Sequence, residues 1–143
     1  MSEHYRYRKD KTHLSSKFKL RIDSFFYLNI YIWNSHEGMR SNILDDGDPE
    51  WIDGYDACYL AMKDIEMDDE KFLPKLFGEI HLVLNNFGVG IIAHELTHFL
   101  LNWMRAFDIT DDEPLALVAG DMNKKFWNAF YRRFQLVDGV WER

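Results

Sequence analysis

The stretch from Val89 to Phe107 limits most strongly what this chain can fold into. It consists almost entirely of helix-forming and aromatic residues, and it contains no proline and no glycine after Gly90. Apolar side chains cover most of the circumference that a helix would have here, which is a pattern typical of buried helices. The sequence therefore predicts one long buried helix, against which the other elements must pack.

Strand patterns precede this helix, and a second helix follows it. β-branched and aromatic residues predict strands over residues 21–33 and 79–86. Residues 57–62 are too few to separate a strand from a short helix, but as a strand they would pair antiparallel with residues 79–86. Apolar residues three and four positions apart predict a last helix from Pro114 to about Gln135. Strands followed by two long helices indicate an α+β domain.

Length and charge narrow the class of protein. The chain has 143 residues and no run of about 18 apolar ones, so we expect one domain spanning 1–143 and no membrane span. Residues 1–20 are basic and form a candidate flexible N-terminal arm. The net charge is nevertheless -7, and no helix carries a basic stripe, so we do not expect specific nucleic-acid binding.

The cysteine content and the N-terminus indicate a compartment. Cys58 is the only cysteine, which excludes an intramolecular disulfide and favours a reducing environment. The N-terminal residues lack the central apolar block of a secretory signal. We therefore expect a cytoplasmic protein, whose oligomeric state the sequence does not predict.

The segment AHELTHF, inside the predicted buried helix, carries the chemistry. His94 and His98 are four residues apart, so on a helix they lie one turn apart on one face and can present two imidazole nitrogens to one ion. Glu95 follows His94 directly, where it can accept a proton from water that zinc has made acidic. This H-E-x-x-H spacing predicts a zinc hydrolase of the metalloprotease kind.

The context of this short motif decides how it is interpreted. Only three positions are fixed, so chance matches occur, and ordinary core or surface residues are the alternative. Histidine and glutamate within an apolar helix cost free energy to bury without partners, which favours a metal site. His36-Glu37 lacks a second histidine four positions after the first, so it does not repeat the motif.

A catalytic zinc takes three protein ligands and keeps a fourth position for water. No histidine stands six residues after His98, where Met104 is found, so we look for a carboxylate. Acidic residues cluster between the two helices, which a short connection would bring side by side. Glu113 is the preferred third ligand, and the alternatives are Asp108, Asp111 and Asp112.

Glu113 has a structural alternative. Thr110 and Glu113 match the spacing of a capping box, in which the glutamate binds the backbone of the helix cap. Against this, Pro114 disfavours helical geometry at the residue before it. The helix would then begin at Pro114, with Asp112 or Glu113 as its cap.

The segments FGEIHLVLNNFGVGIIAHELTHFLLNWM and DDEPLALVAGDM resemble the small zincin-like metallopeptidases of the short glutamate-zincin type, which are frequent in phage and prophage genomes. The resemblance covers about residues 78–130. The family's E-x-x-A-x-x-x-G segment reads here from Glu113 to Gly120, with Leu117 in place of the usual aromatic residue.

This resemblance implies both a fold and a ligand set. The implied fold is zincin-like, with a small antiparallel or mixed sheet packed on the motif helix and on a second long C-terminal helix. Zinc would be held by His94, His98 and Glu113, with Glu95 as the base. A phage-encoded member would act in the host cytoplasm.

The resemblance also implies how a peptide or protein substrate binds. The strand before the motif helix, here residues 79–86, is commonly a sheet edge that pairs with an extended peptide. His81 could face the cleft and stabilise the oxyanion, although a partly exposed strand histidine is the plainer interpretation. Tyr55, Tyr59 and Tyr131 are equally open as oxyanion donors.

Three functions remain in competition. The leading one is a zinc-dependent peptidase that uses Glu95 to activate water. The second is an interaction protein, directed at a host protein, that keeps a structural zinc site without cutting. The third is metal-dependent hydrolysis of a non-peptide amide. The intact Glu95 favours retained catalysis.

Overall fold

The computed structural model describes residues 6–7, 13–44, 57–62 and 74–143 of the chain. Three helices and eight strands lie within these ranges. In chain order they are β1 (Arg6–Tyr7), β2 (Leu14–Arg21), β3 (Phe26–Trp33), α1 (His36–Asn42), β4 (Ile43–Leu44), β5 (Ala57–Ala61), β6 (Lys75–Val83), α2 (Val89–Phe107), α3 (Asp112–Arg133), β7 (Gln135–Val137) and β8 (Val140–Glu142).

A four-stranded mixed sheet in the order β2-β3-β6-β5 forms the centre of the fold. The inner pair, β3 and β6, is parallel, whereas β2 and β5 run antiparallel to their neighbours. Two short antiparallel pairs, β1 with β4 and β7 with β8, stand apart from this sheet. The predicted α+β class is confirmed, with a mixed sheet.

Each face of the sheet has its own apolar cluster. The residues facing α2 and α3 include Leu28 and Ile30 of β3 and Ile80 and Leu82 of β6. On the opposite face, sheet residues pack against Met39 of α1 and Ile43 of β4. The members of this cluster are Tyr31, Trp33, Met39, Ile43, Cys58, Leu60 and Val83. Because successive side chains of a strand point to opposite faces, β3 and β6 contribute to both clusters.

The predicted strand over residues 21–33 is in fact the end of one strand, a turn and a second strand. The side chain of Asp23 accepts hydrogen bonds from the backbone amides of Phe25 (2.7 Å) and Phe26 (2.9 Å), which closes the turn. An aspartate that binds the backbone two and three residues later is a recurrent turn former. The chain therefore reverses here, and β2 pairs antiparallel with β3.

Strand β2 lies largely within the predicted basic arm. Its exposed residues are Lys17, Lys19 and Arg21, whereas Phe18 and Leu20 are buried between them. This alternation is that of a half-buried strand, so residues 14–20 do not belong to a flexible arm. Most of the preceding residues lie outside the described ranges.

Residues 57–61 form β5, which confirms the strand interpretation and the antiparallel pairing with β6. The second predicted strand, residues 79–86, is also present as β6, but it starts at Lys75 and ends at Val83. β6 is hydrogen-bonded on one side to β3 and on the other to β5. The expectation that this strand is an edge is therefore wrong, and the edges of the described sheet are β2 and β5.

The bounds predicted for the long helix are confirmed, since α2 runs from Val89 to Phe107. The expectation of a buried helix holds for one side of α2 only. Leu96 and Phe99 lie in the core, whereas the side chain of Val89 is 71% exposed. α2 is thus an amphipathic helix covering the sheet near β5.

The last helix starts earlier than predicted. α3 begins at Asp112, with Asp111 as its N-cap, and not at Pro114. Backbone amides of the first turn have no partner within a helix, so a proline is accommodated there. Glu113 is consequently helical, and Asp111 makes no side-chain capping bond.

Candidate metal centre

His94 and His98 meet on the exposed face of α2. Their Nε2 atoms are 3.2 Å apart, and their ring planes cross at 77°. Two nitrogens that each bind a tetrahedral zinc at about 2.0–2.1 Å would lie about 3.3–3.4 Å apart. The pair therefore has the spacing of two zinc ligands. The same contact is also a hydrogen bond when one ring donates and the other accepts.

The exposure of both histidines changes one step of the sequence argument. We expected them to be costly to bury, but both side chains lie in solvent with Thr97 between them. The hydroxyl of Thr97 donates a hydrogen bond to the carbonyl of Ala93 at 2.7 Å, as is common on an exposed helix face. Burial of the histidines therefore does not support a metal site. The 3.2 Å distance between their Nε2 atoms does.

Glu95 is the buried member of the motif. Its position lies on the flank of α2 that turns toward the sheet, and its side chain is 6% exposed. Burial raises the pKa of the Glu95 carboxyl above its ordinary value of 4.5, and the neighbouring His94 opposes this rise. A carboxyl whose pKa is moved toward neutrality is suited to accept a proton and to return it.

The third ligand does not join the two histidines. Glu113 lies exposed in the first turn of α3. The other acidic residues of this connection, Asp108, Asp111 and Asp112, are exposed as well. Within the described ranges, no three side chains of His, Cys, Asp or Glu converge on one point. The structure thus brings together two of the three predicted ligands.

His81 lies on the opposite face of the sheet from α2 and is fully buried. Its ring stacks on Tyr31, with centroids 4.6 Å apart and planes at 8°. Both expectations for His81 are therefore wrong, because it neither faces a cleft beside His94 nor lies partly exposed. The reason is that residues 79 and 81 point away from α2 and α3, toward the side of the sheet that packs against α1.

His81 belongs to a buried hydrogen-bonded chain that the sequence did not reveal. The indole of Trp33 donates to His81 Nδ1 at 3.0 Å, and because an indole can only donate, Nδ1 accepts. The proton then resides on Nε2, which donates to Glu79 Oε1 at 3.1 Å. Tyr31 donates to the other oxygen of Glu79 at 3.4 Å. The sequence holds one indication of this chain: Tyr31 and Trp33 are two residues apart, as are Glu79 and His81, so each pair lies on one face of its strand.

Tyr59 connects the edge strand β5 to the motif helix. Its hydroxyl accepts a hydrogen bond from Asn102 of α2 at 3.0 Å, and its ring meets Phe99 edge-on at 6.3 Å. Asn102 was not among the predicted site residues, although it lies one turn after His98.

Tyr131 is exposed on α3 beside Trp127 and Trp141. Tyr55 lies outside the described residues.

Comparison with protein-family models, with curated proteins and with solved structures finds no match to this chain. In the part of the chain that the structure describes, no helix combines the length and the apolarity required to cross a membrane.

Proposed function

We propose that this protein is a zinc-dependent metallopeptidase related to the small zincin-like enzymes that its sequence resembles. The observation that carries the proposal is the 3.2 Å approach of the His94 and His98 Nε2 atoms, with a buried glutamate directly after the first histidine. Two imidazoles and a carboxylate are donors that zinc accepts in catalytic sites. The histidine pair therefore fits two of the three protein ligands that a catalytic zinc takes.

Each motif residue has a separate role in this proposal. His94 and His98 would hold the metal, and Glu113, at the start of α3, is the proposed third ligand. A bound zinc would supply Lewis acidity that makes water a nucleophile near neutral pH. In this role Glu95 would accept a proton from the attacking water and return it to the leaving amine, a transfer for which its raised pKa is suited.

The edge strand β5 is the proposed site of substrate binding. Among the described strands β5 is an edge strand of the sheet, paired with β6. The Tyr59–Asn102 hydrogen bond and the contact with Phe99 hold this strand beside α2. An extended peptide would add to the sheet at this edge through backbone hydrogen bonds. We propose peptides or unfolded protein segments as substrates and the cytoplasm as the compartment.

Metal analysis of the purified chain tests the site. The wild-type protein should hold about one zinc per chain, and His94→Ala or His98→Ala should each remove most of it. Thr97→Ala is the matched control, since Thr97 lies between the two histidines on the same exposed face and is not a ligand. Glu113→Gln should lower the zinc content if Glu113 completes the site. A wild-type protein without zinc after expression in zinc-supplied medium would refute the proposal.

The alternative is a non-catalytic interaction protein that retains the zinc for stability. Glu95→Gln separates the two functions, because Glu95 is not a ligand. A peptidase should keep its zinc and lose peptide cleavage in this variant. A wild-type protein that holds zinc and cleaves no peptide in a mixed library would support the alternative.

A further inference from the structure

The solvent-facing side of α3 carries two large apolar side chains. The helix turns Met122, Phe126 and Phe130 into the core. At about 100° per residue, Leu117 lies about 140° round the helix from Met122, and Tyr131 lies about 180° from it. The side chains of Leu117 and Tyr131 are 65% and 58% exposed. Burial in the core therefore does not account for either of them.

The charged residues on the same side of α3 follow an ordered pattern. Glu113 and Asp121 lie in the first half of the helix, and Lys124 and Arg132 lie in the second half. All four are exposed. Glu113 is one residue from the start of α3, and Arg132 is one residue from its end. Asp121 and Lys124 are also equally far from the two ends, so the acids mirror the cations about the middle of the helix.

Interactions within the chain explain only part of this pattern. The helix dipole acts on the first and last turns, where it favours Glu113 and Arg132. Asp121 forms an ion pair with Lys125 at 2.8 Å, one turn further along α3. Neither cause accounts for Lys124 near the middle of the helix, nor for the exposed apolar side chains.

We propose that this side of α3 is a self-association surface, on which a second copy of the chain packs its own α3 antiparallel about a two-fold axis. In such a contact, residue i of one copy meets residue j of the other, and j meets i. When two helices of 22 residues overlap over their full length of about 33 Å, Asp121 lies opposite Lys124 of the second copy. Glu113 then lies opposite Arg132 of that copy. The charges of α3 thus complement themselves when the helix is reversed.

The same register brings the exposed apolar side chains together. Leu117 of one copy comes within one helical turn of Tyr131 of the other, and the two-fold axis repeats this contact. The ring of Tyr131 already lies 5.6 Å from that of Trp127 and 5.8 Å from that of Trp141, so it loses little further freedom on association. One helix from each copy forms a small interface, so we expect a weak dimer with a dissociation constant in the micromolar range.

This surface shares one residue with the proposed zinc site. His94, Glu95 and His98 lie on α2, whereas Glu113 is also the proposed third ligand. The two roles of Glu113 are compatible, because a carboxylate that binds a metal through one oxygen can accept a hydrogen bond through the other. Asp121 and Lys124 have no part in the zinc site, so variants of these two residues test the dimer by itself.

Sedimentation velocity of the full chain, from micromolar to millimolar concentration, tests the proposal. The wild type should change from monomer to dimer as its concentration rises. Asp121→Lys and Lys124→Asp should each weaken dimerisation by roughly tenfold, because the symmetry turns two attractions into two repulsions. Arg105→Asp is the matched control, since it makes the same change of charge at an exposed position on α2. It should leave the dissociation constant within about twofold of the wild type, because salt screens distant charges.

An equimolar mixture of the Asp121→Lys and Lys124→Asp proteins tests the register. Opposite charges meet at both contacts only when the two variants pair with each other, so the mixture should dimerise about as tightly as the wild type. Circular dichroism checks that each variant is folded. A wild type that stays monomeric at millimolar concentration would overturn the proposal. So would a mixture no more dimeric than its components, or an Arg105→Asp protein weakened as much as Lys124→Asp.

Discussion

Replacing Gly78 by alanine should break the contact that holds β5 against α2. Gly78 of β6 lies under the ring of Tyr59, and an added Cβ would stand 2.5 Å from the Tyr59 hydroxyl oxygen and 2.8 Å from two ring carbons. Real Cβ atoms essentially never approach other atoms so closely. The tyrosine ring must therefore move away from Asn102, to which it is hydrogen-bonded, and from Phe99.

The expected loss of stability follows from three contributions. Overpacking of a well-packed site costs about 1–3 kcal/mol. Loss of the hydrogen bond between Tyr59 and Asn102 costs about 1 kcal/mol of stability in addition. The lower entropy of an alanine chain in the unfolded state offsets about 0.4–1 kcal/mol of this. Gly78→Ala should thus lower the free energy of unfolding by roughly 1–4 kcal/mol, or Tm by roughly 3–12 °C for a chain of this length.

Urea denaturation and thermal melting, both followed by circular dichroism, measure this loss. Gly120→Ala on α3 is the control, because a Cβ there meets nothing within 4 Å, and an alanine within a helix stabilises it by up to about 1 kcal/mol. Tyr59→Phe removes the atom nearest to the added Cβ, so the double variant should lose less than the sum of the single losses. A Gly78→Ala protein as stable as the wild type would show that the Tyr59 ring does not lie over this position.

The remaining predictions concern charge and metal. Because burial raises the pKa of Glu95, the metal-free wild type should lose stability as the pH rises above about 4.5, the ordinary value. Calorimetry in chelator should therefore find Glu95→Gln more stable than the wild type near pH 7 and equally stable near pH 4. His81→Phe leaves Trp33 and Glu79 without their shared partner, so urea unfolding should detect a loss of about 2–5 kcal/mol. Added zinc should raise the Tm of the wild type but not of His98→Ala, and an equal rise in both would exclude His98 as a ligand.

The long helix was predictable because its signal is local. Residues 89–107 combine helix-forming side chains with the absence of proline, and the predicted bounds of α2 match the structure. β2 was not predicted, although its signal is local as well. Lys17 and Lys19 belong both to a basic segment and to an alternation with Phe18 and Leu20, and this alternation is the pattern of a half-buried strand.

The neighbours of each strand could not be predicted, because pairing joins residues far apart in the chain. The spacing of H-E-x-x-H sufficed to bring His94 and His98 together, since helix geometry alone places them on one face. Whether residues 79–86 form an edge depends on where residues 26–33 and 57–61 pair, and no local pattern contains that information. The same limit explains why the wrong face was expected for His81.

The buried residue of the motif is more informative than the exposed ones. Exposed histidines cost little to maintain, so their presence alone does not indicate a function. Glu95 differs, because burial without neutralisation makes its ionised form unfavourable and the folded chain less stable at neutral pH. A cost of this kind is typical of catalytic sites, where a shifted pKa serves proton transfer. If Glu95→Gln stabilises the protein and abolishes cleavage together, one carboxyl accounts for both the lost stability and the chemistry.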